Sequence, residues 1–287
     1  VLSAALAGFL LTVVWSASFV DGVIGDSVTD AILGRDAGEA ALGGVAAGVA
    51  FAFVSGVAGT FTACNIAVFS TLAPMAADGG GRGRRVRLVL RPLLWLGLGT
   101  VLVSAAYGVV VGLVGTDMPQ FETASSAPGA LSPRLVQAAV VFGGIGAVLC
   151  YLGLAAVGLV RDPFRRHPDT RLVLLGGLVG AFLIGRPFPL FRHLFRDAAE
   201  SGNPVYGAGA FVLQSVGNIA LMAVVLVLIG LSVGDRVGRW LTARPGRIES
   251  FTAAGMLVAG VFLILYWDVR LLAMRDILPW YPVAPWV

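Results

Sequence analysis

The chain has 287 residues, of which 57% are hydrophobic and only 13% charged, with a net charge of +4 and a mean hydropathy of +0.89. A water-soluble domain carries about 25% charged residues, and half that fraction cannot solvate a globule of this size. Composition therefore excludes a soluble enzyme, a nucleic-acid reader and a secreted disulfide scaffold. Every basic residue is an arginine, and most sit in short clusters between apolar runs, a placement that orients a membrane protein and does not build a phosphate-binding face.

The apolar runs predict an all-α polytopic membrane protein with seven transmembrane helices, at 1–20, 40–75, 89–115, 134–160, 172–191, 205–233 and 251–267, since about 20 apolar residues cross a bilayer core as a helix. The opening run, VLSAALAGFLLTVVWSASFV, has no basic leader and is expected to be the truncated start of a first span, not a cleaved signal peptide. An acidic loop follows, with Asp21, Asp26, Asp30, Asp36 and Glu39 against Arg35, and closes an N-terminal unit over 1–39.

The second run is too long for one straight crossing, which predicts a tilt, a break or a partly re-entrant path. Inside it Gly59-Thr60-Phe61-Thr62-Ala63-Cys64-Asn65, closed by Pro74, is polar at membrane depth. Thr62, Cys64 and Asn65 need partners there and should face the bundle interior. They either line a pathway or serve helix packing, for which the small residues Gly56, Gly59 and Ala63 are equally suited.

Arg82, Arg84, Arg85, Arg87 and Arg91 follow this run, Arg161, Arg165, Arg166 and Arg171 follow the fourth, and Arg236, Arg239, Arg244 and Arg247 follow the sixth. Arginine-rich short loops stay cytoplasmic, so the amino terminus is expected inside and the carboxyl terminus outside. Trp280, Tyr281 and Trp286 of the tail suit an outer interface belt. Cys150, Tyr107 and Gln137 fit packing as well as function.

The fifth run ends in RPFPLFRHLFR, where Arg186, Pro187 and Pro189 predict a break. Arg186, Arg192 and Arg196 either snorkel to the outer interface or line a contact with an anion or lipid headgroup. The spacing of Phe191 and Phe195 suggests a helix lying along the membrane surface. In the sixth run Gln214 and Asn218, four apart, share a helical face and mark either a helix contact or a hydrophilic pathway. His167 and His193 are expected on opposite sides, which excludes a bis-histidine haem. With no CxxC, HExxH, carboxylate cluster or P-loop, neither a metal, a cofactor nor ATP is expected.

Spans two to four resemble spans five to seven: each set opens with an interrupted Gly-rich span, compare GGVAAGVAFAFVSGVAGTFTACNIAVFSTLAP (43–74) with GGLVGAFLIGRPFPLFRHLF (176–195). Three crossings per unit make the second unit, 172–270, inverted relative to the first, 40–171, with 271–287 left as an aromatic interfacial tail. Interrupted helices at matching places in inverted halves point to a central site.

On these two segments the chain resembles the CcdA/DsbD-like transmembrane family of cytochrome c biogenesis and thiol-reductant carriers, within the LysE-like group. The resemblance implies two inverted three-helix repeats, each opening with a broken helix that carries a Pro-Cys motif, and a membrane-embedded cysteine pair that passes reducing equivalents from thioredoxin. Cys64 stands at the first cysteine position, with Ala63 where the family has proline; Pro187 and Pro189 are kept, but Phe188 stands where the second cysteine belongs. A dithiol relay needs a resolving thiol, and only Cys150 is left to supply one.

The expected function is a transport-type protein of the cytoplasmic membrane, moving a small solute or reducing equivalents past Thr62, Cys64, Asn65 and Pro187, with Gln214 and Asn218 nearby. One alternative is a thiol–disulfide relay through Cys64 and Cys150 with a thioredoxin-like partner. Another is a non-transporting accessory subunit of a larger membrane complex.

Overall fold

The computed structural model describes residues 1–16, 45–58, 63–76, 82–121, 129–185, 189–232 and 234–286. Among the described residues there is no strand, and almost every apolar stretch is helical, because in lipid each backbone N–H and C=O must be satisfied within its own segment. The helices in chain order are α1 (Leu2–Val14), α2 (Val45–Ala58), α3 (Ala63–Ala76), α4 (Arg82–Val114), α5 (Pro133–Ala156), α6 (Pro168–Gly185), α7 (Pro189–Glu200), α8 (Pro204–Ser232), α9 (Gly234–Thr242) and α10 (Arg247–Ile264). A π-helical turn, Leu265–Arg270, joins α10 to the short α11 (Leu271–Met274), and two 3-10 turns, Gly115–Asp117 and Pro119–Phe121, follow α4. Proline opens α5, α6, α7 and α8, where its fixed φ suits a first helical residue and its missing N–H costs nothing.

Among the described residues, five helical stretches are long and apolar enough to cross a membrane: Arg87–Asp117, Pro133–Ala156, Pro168–Gly185, Pro204–Ser232 and Arg247–Met274. Leu90, Leu94, Leu98 and Leu102, four residues apart on α4, are all exposed. Such an outward apolar stripe is stable only against lipid. The long run 40–75 contributes α2 and α3, and the run 172–191 contributes α6 and the start of α7; the breaks expected at 59–62 and 186–188 lie outside the described residues. The acidic loop 21–39 lies outside the described residues.

At the centre α4 and α8 run antiparallel: Gly97 faces Ile219, Gly108 faces Gly207, and Gly112 faces Asn203 and Pro204. Helix α2 packs on α8 and α6 packs on α4; α5 pairs with α10; α3 also leans on α10, and α1 closes the outside of α10. The main core joins Leu96, Phe142, Leu149, Leu175, Met222 and Met256. A second cluster lies around Phe51, Tyr107, Phe195 and Phe211, and the rings of Tyr107, Phe195 and Phe211 meet edge to face at 4.6–5.9 Å. Phe195 is therefore an inward-facing core residue, and α7 does not lie on the membrane with Phe195 in lipid. The neighbouring ring of Phe191 lies outside the described side chains.

The end of α1 is held by the far end of the chain. Arg270, 5% exposed, donates to the carbonyls of Thr12 (2.8 Å) and Trp15 (3.2 Å). The Ala284 amide donates to Val13 O (2.9 Å) and the Trp286 indole to Val14 O (3.4 Å). These four carbonyls have no partner inside the helix, so the tail and one arginine satisfy what α1 leaves open. The π turn, a register shift in α10, is what aims Arg270 at α1. Trp280 and Trp286 are exposed as an interface belt requires, but Tyr281 is buried and its hydroxyl bonds Thr12 at 2.5 Å.

Candidate functional site

Three carboxamides gather where α3 meets α8. Asn65, 1% exposed in the first turn of α3, donates from Nδ2 to Asn218 Oδ1 at 3.3 Å. One turn earlier on α8, Gln214 is 2% exposed, and among the described residues neither its Oε1 nor its Nε2 has a hydrogen-bond partner. A buried amide left unpaired costs about 1–3 kcal/mol, a cost that packing alone gives no reason to keep. Helix α2 supplies the adjoining wall: a Cβ on Gly56 would stand 1.9 Å from the Gln214 carbonyl oxygen and 3.0 Å from the Asn218 amide nitrogen. Only glycine lets the backbone of α2 rest on that turn of α8.

The α2–α8 crossing has a counterpart. A Cβ on Gly217 would stand 2.1 Å from Phe53 O, one on Gly99 would stand 1.9 Å from Val173 O, and one on Gly176 would stand 1.8 Å from Leu96 O. Phe53, Gly56 and Val57 meet Gln214, Gly217 and Asn218 with the same i, i+3, i+4 spacing by which Val173, Gly176 and Gly177 meet Leu96, Gly99 and Thr100. Small residues that bring backbones this close are a usual device of helix association in lipid. Hydroxyls secure both neighbourhoods: Thr100 Oγ1 donates to Gly176 O at 2.9 Å, and the Ser104 and Ser215 hydroxyls bond across α4 and α8 at 2.5 Å.

A second polar group lies below the 3-10 turn that follows α4. Tyr107 donates to Gln120 Oε1, and Gln137 Nε2 reaches both Tyr107 Oη (3.3 Å) and the carbonyl of Ile184 (2.7 Å). Ile184 is the penultimate residue of α6, so Gln137 caps a carbonyl at the broken end of that helix.

Of the residues singled out in the sequence, Asn65, Gln214 and Asn218 come together. Thr62, Arg186 and Pro187 lie outside the described residues, and the side chains of Cys64 and Arg192 are likewise outside the description although both residues sit in helices α3 and α7. Arg196 is exposed and faces Glu200 at 3.9 Å one turn on. Cys150 is a free thiol in the α5–α10 contact, where a Cβ on Gly260 would come within 2.7 Å of its sulfur. Asp268 faces Gly143 of α5 across the same contact. Sequence reading passed over Ser104, Ser215, Gln120 and Arg270. Arg270 carried a signal, a cation directly after an apolar run, whereas single serines among alanines and glycines carry none.

The chain matches no family model, no curated protein and no solved structure. Function has to be argued from the site.

Proposed function

We propose that this chain is a seven-pass transport-type protein of the cytoplasmic membrane, with its amino terminus inside, in which a small polar solute passes the carboxamides of Asn65, Gln214 and Asn218. The observation that carries the reading is the unpaired, buried amide of Gln214 beside the Asn65–Asn218 bond. It offers a donor and an acceptor at membrane depth, on the turn of α8 that packs against Gly56 of α2. Polar groups so placed usually mark a substrate route.

Two inverted three-helix units, α2–α5 and α6–α10, account for the matched crossings and for the pairing of α4 with α8 and of α5 with α10. In that register Gly56 is the counterpart of Gly176, so aligning Gly43-Gly44 with Gly176-Gly177 is out of step. A CcdA/DsbD-like scaffold has such a layout. Transport would then proceed by rocking of one unit against the other.

Cysteine accessibility tests the reading. In the full chain carrying Cys64→Ser and Cys150→Ser, Gln214→Cys and Asn218→Cys should react with a membrane-impermeant thiosulfonate, while Leu226→Cys, fully buried on the same helix, should not. Failure of both site cysteines to react would remove the aqueous route. The tight backbone crossings beside Gln214 favour the second reading, an accessory subunit with a dry interior. Unreactive cysteines together with co-purification at fixed stoichiometry with a larger complex would establish it.

A further inference from the structure

Helix α5 ends in a sharp reversal. Gly158 takes the left-handed conformation (φ 77°), its amide bonds Ala155 O at 3.0 Å, and the Leu159 amide bonds Leu154 O at 3.0 Å. This is the glycine-terminated helix end in which only a residue without Cβ turns the chain without strain. The reversal leaves a cleft of about 1360 Å³ between the last two turns of α5, the loop that follows and the first turn of α10. One wall is the carboxyl-terminal surface of a helix long and apolar enough to cross a membrane, formed by Tyr151 (42% exposed), Ala155 and Ala156. Tyr151 also shapes the loop, donating its hydroxyl to Arg161 O at 2.7 Å.

The opposite wall carries Arg161, Arg165 and Arg166, all exposed. Among the described residues none of these three guanidiniums has an ion pair or hydrogen-bond partner. Of the two carboxylates on the lining, Asp162 is already engaged by Arg171 at 3.7 Å and by the Phe164 amide at 2.8 Å. Glu249, in the first turn of α10, is then outnumbered. A phosphate free in water would need only the arginines. A site that joins unpaired guanidiniums to an aromatic and alanine wall at a helix end suits a phosphate that brings acyl chains with it.

We propose that this cleft holds an anionic phospholipid, its phosphate on Arg161, Arg165 and Arg166 and its upper acyl chain along Tyr151 and Ala155. Val157 and Leu159, next in sequence to the lining residues Ala156, Gly158 and Val160, add exposed apolar surface beside the cleft. The inference is independent of the transport reading, since it uses none of the buried carboxamides.

The test is native mass spectrometry of the full chain in neutral detergent with added phosphatidylglycerol, against phosphatidylcholine of the same chain length. An arginine near an anionic headgroup contributes roughly fivefold in affinity, so R161Q/R165Q/R166Q should weaken phosphatidylglycerol retention by about a hundredfold. The control R236Q/R239Q/R244Q removes the same charge from other exposed arginines and should leave retention within about fivefold of the unmodified chain. Glu249→Gln should strengthen it. Equal losses in the two triple variants would reduce the effect to diffuse attraction and overturn the site. So would equal retention of phosphatidylcholine, or displacement of the lipid by excess inorganic phosphate, which would make the cleft a site for a soluble anion.

Discussion

Replacing Gly99 by alanine tests the crossing of α4 with α6, and the structure fixes what it should cost. The new Cβ would stand 1.9 Å from the Val173 carbonyl oxygen and 2.8 Å from the Gly177 amide nitrogen, both of them backbone atoms that cannot rotate away. The helices must separate by about 1 Å or more to restore an ordinary contact, and close-packed interiors absorb such shifts poorly. That movement stretches the bond from Thr100 Oγ1 to Gly176 O, now 2.9 Å, at a cost of about 1 kcal/mol. Overpacking adds about 1–3 kcal/mol, for a total near 2–4 kcal/mol. Gly97, two residues away on the same helix, meets only the end of the Ile219 side chain at 3.5 Å, so Gly97→Ala should be neutral or should gain up to about 1 kcal/mol of helix propensity. Thermal unfolding of the two variants in one detergent reads the difference: Gly99→Ala should melt about 10 °C below Gly97→Ala, at 2–4 °C per kcal/mol for a chain of this size. Melting points within a degree or two of each other would refute the backbone-on-backbone crossing. By the same geometry Gly217→Ala should lose as much as Gly99→Ala.

Gln214→Leu should leave stability unchanged or raise it by up to about 2 kcal/mol, because it removes two unpaired buried atoms, whereas Asn218→Leu should lose about 1–3 kcal/mol with the acceptor of the Asn65 amide; equal losses in the same melting assay would mean that the Gln214 amide is paired. Arg270→Gln should loosen the end of α1 by about 2–4 kcal/mol, the range for charged hydrogen bonds to two carbonyls. Amide hydrogen exchange over residues 2–15 should rise, and unchanged protection would rule out the clamp. Ser104→Ala and Ser215→Ala should each cost more singly than their sum in the double variant allows, with a coupling of about 0.6–1.7 kcal/mol for a hydroxyl pair between membrane helices. Strict additivity would show that the two hydroxyls do not bond.

Much of the architecture is legible because lipid leaves the chain few choices. An apolar run of sufficient length must become a helix, so the stretches that became α4, α5, α6, α8 and α10 can be drawn from hydropathy. Proline is a poorer guide to where a helix stops: Pro74 lies inside α3 and Pro92 inside α4, although each removes one bond from the helical ladder. Asn65 and Asn218 were legible because an amide in hydrocarbon gains by pairing with another, as their side chains do at 3.3 Å, although the same rule does not foretell that Gln214 stays unpaired.

Three features were not legible. Phe195 reads as interfacial from its spacing with Phe191, yet it is 2% exposed between Tyr107 and Phe211. In a membrane protein the lipid face and the core are equally apolar, so periodicity of phenylalanines does not say which one a ring faces. Tyr281 likewise reads as a belt residue but is drawn inward by Thr12. The glycines of α2, α4, α5, α6 and α8 look alike in sequence, and only the crossings separate Gly56, Gly99, Gly176 and Gly217, which tolerate no Cβ, from Gly144 and Gly209, which meet nothing within 4 Å.

The sequence by itself determined that the chain lives in a bilayer as helices and that Asn65 and Asn218 would seek a partner at depth, because both follow from the cost of leaving a polar group unsatisfied in hydrocarbon. Which helix lies on which was decided only by the tertiary structure. Lipid wets every apolar face equally well, so the choice falls to shape, and shape is set where a glycine lets two backbones touch, where Arg270 finds the open end of α1, and where Gln214 is enclosed without a partner.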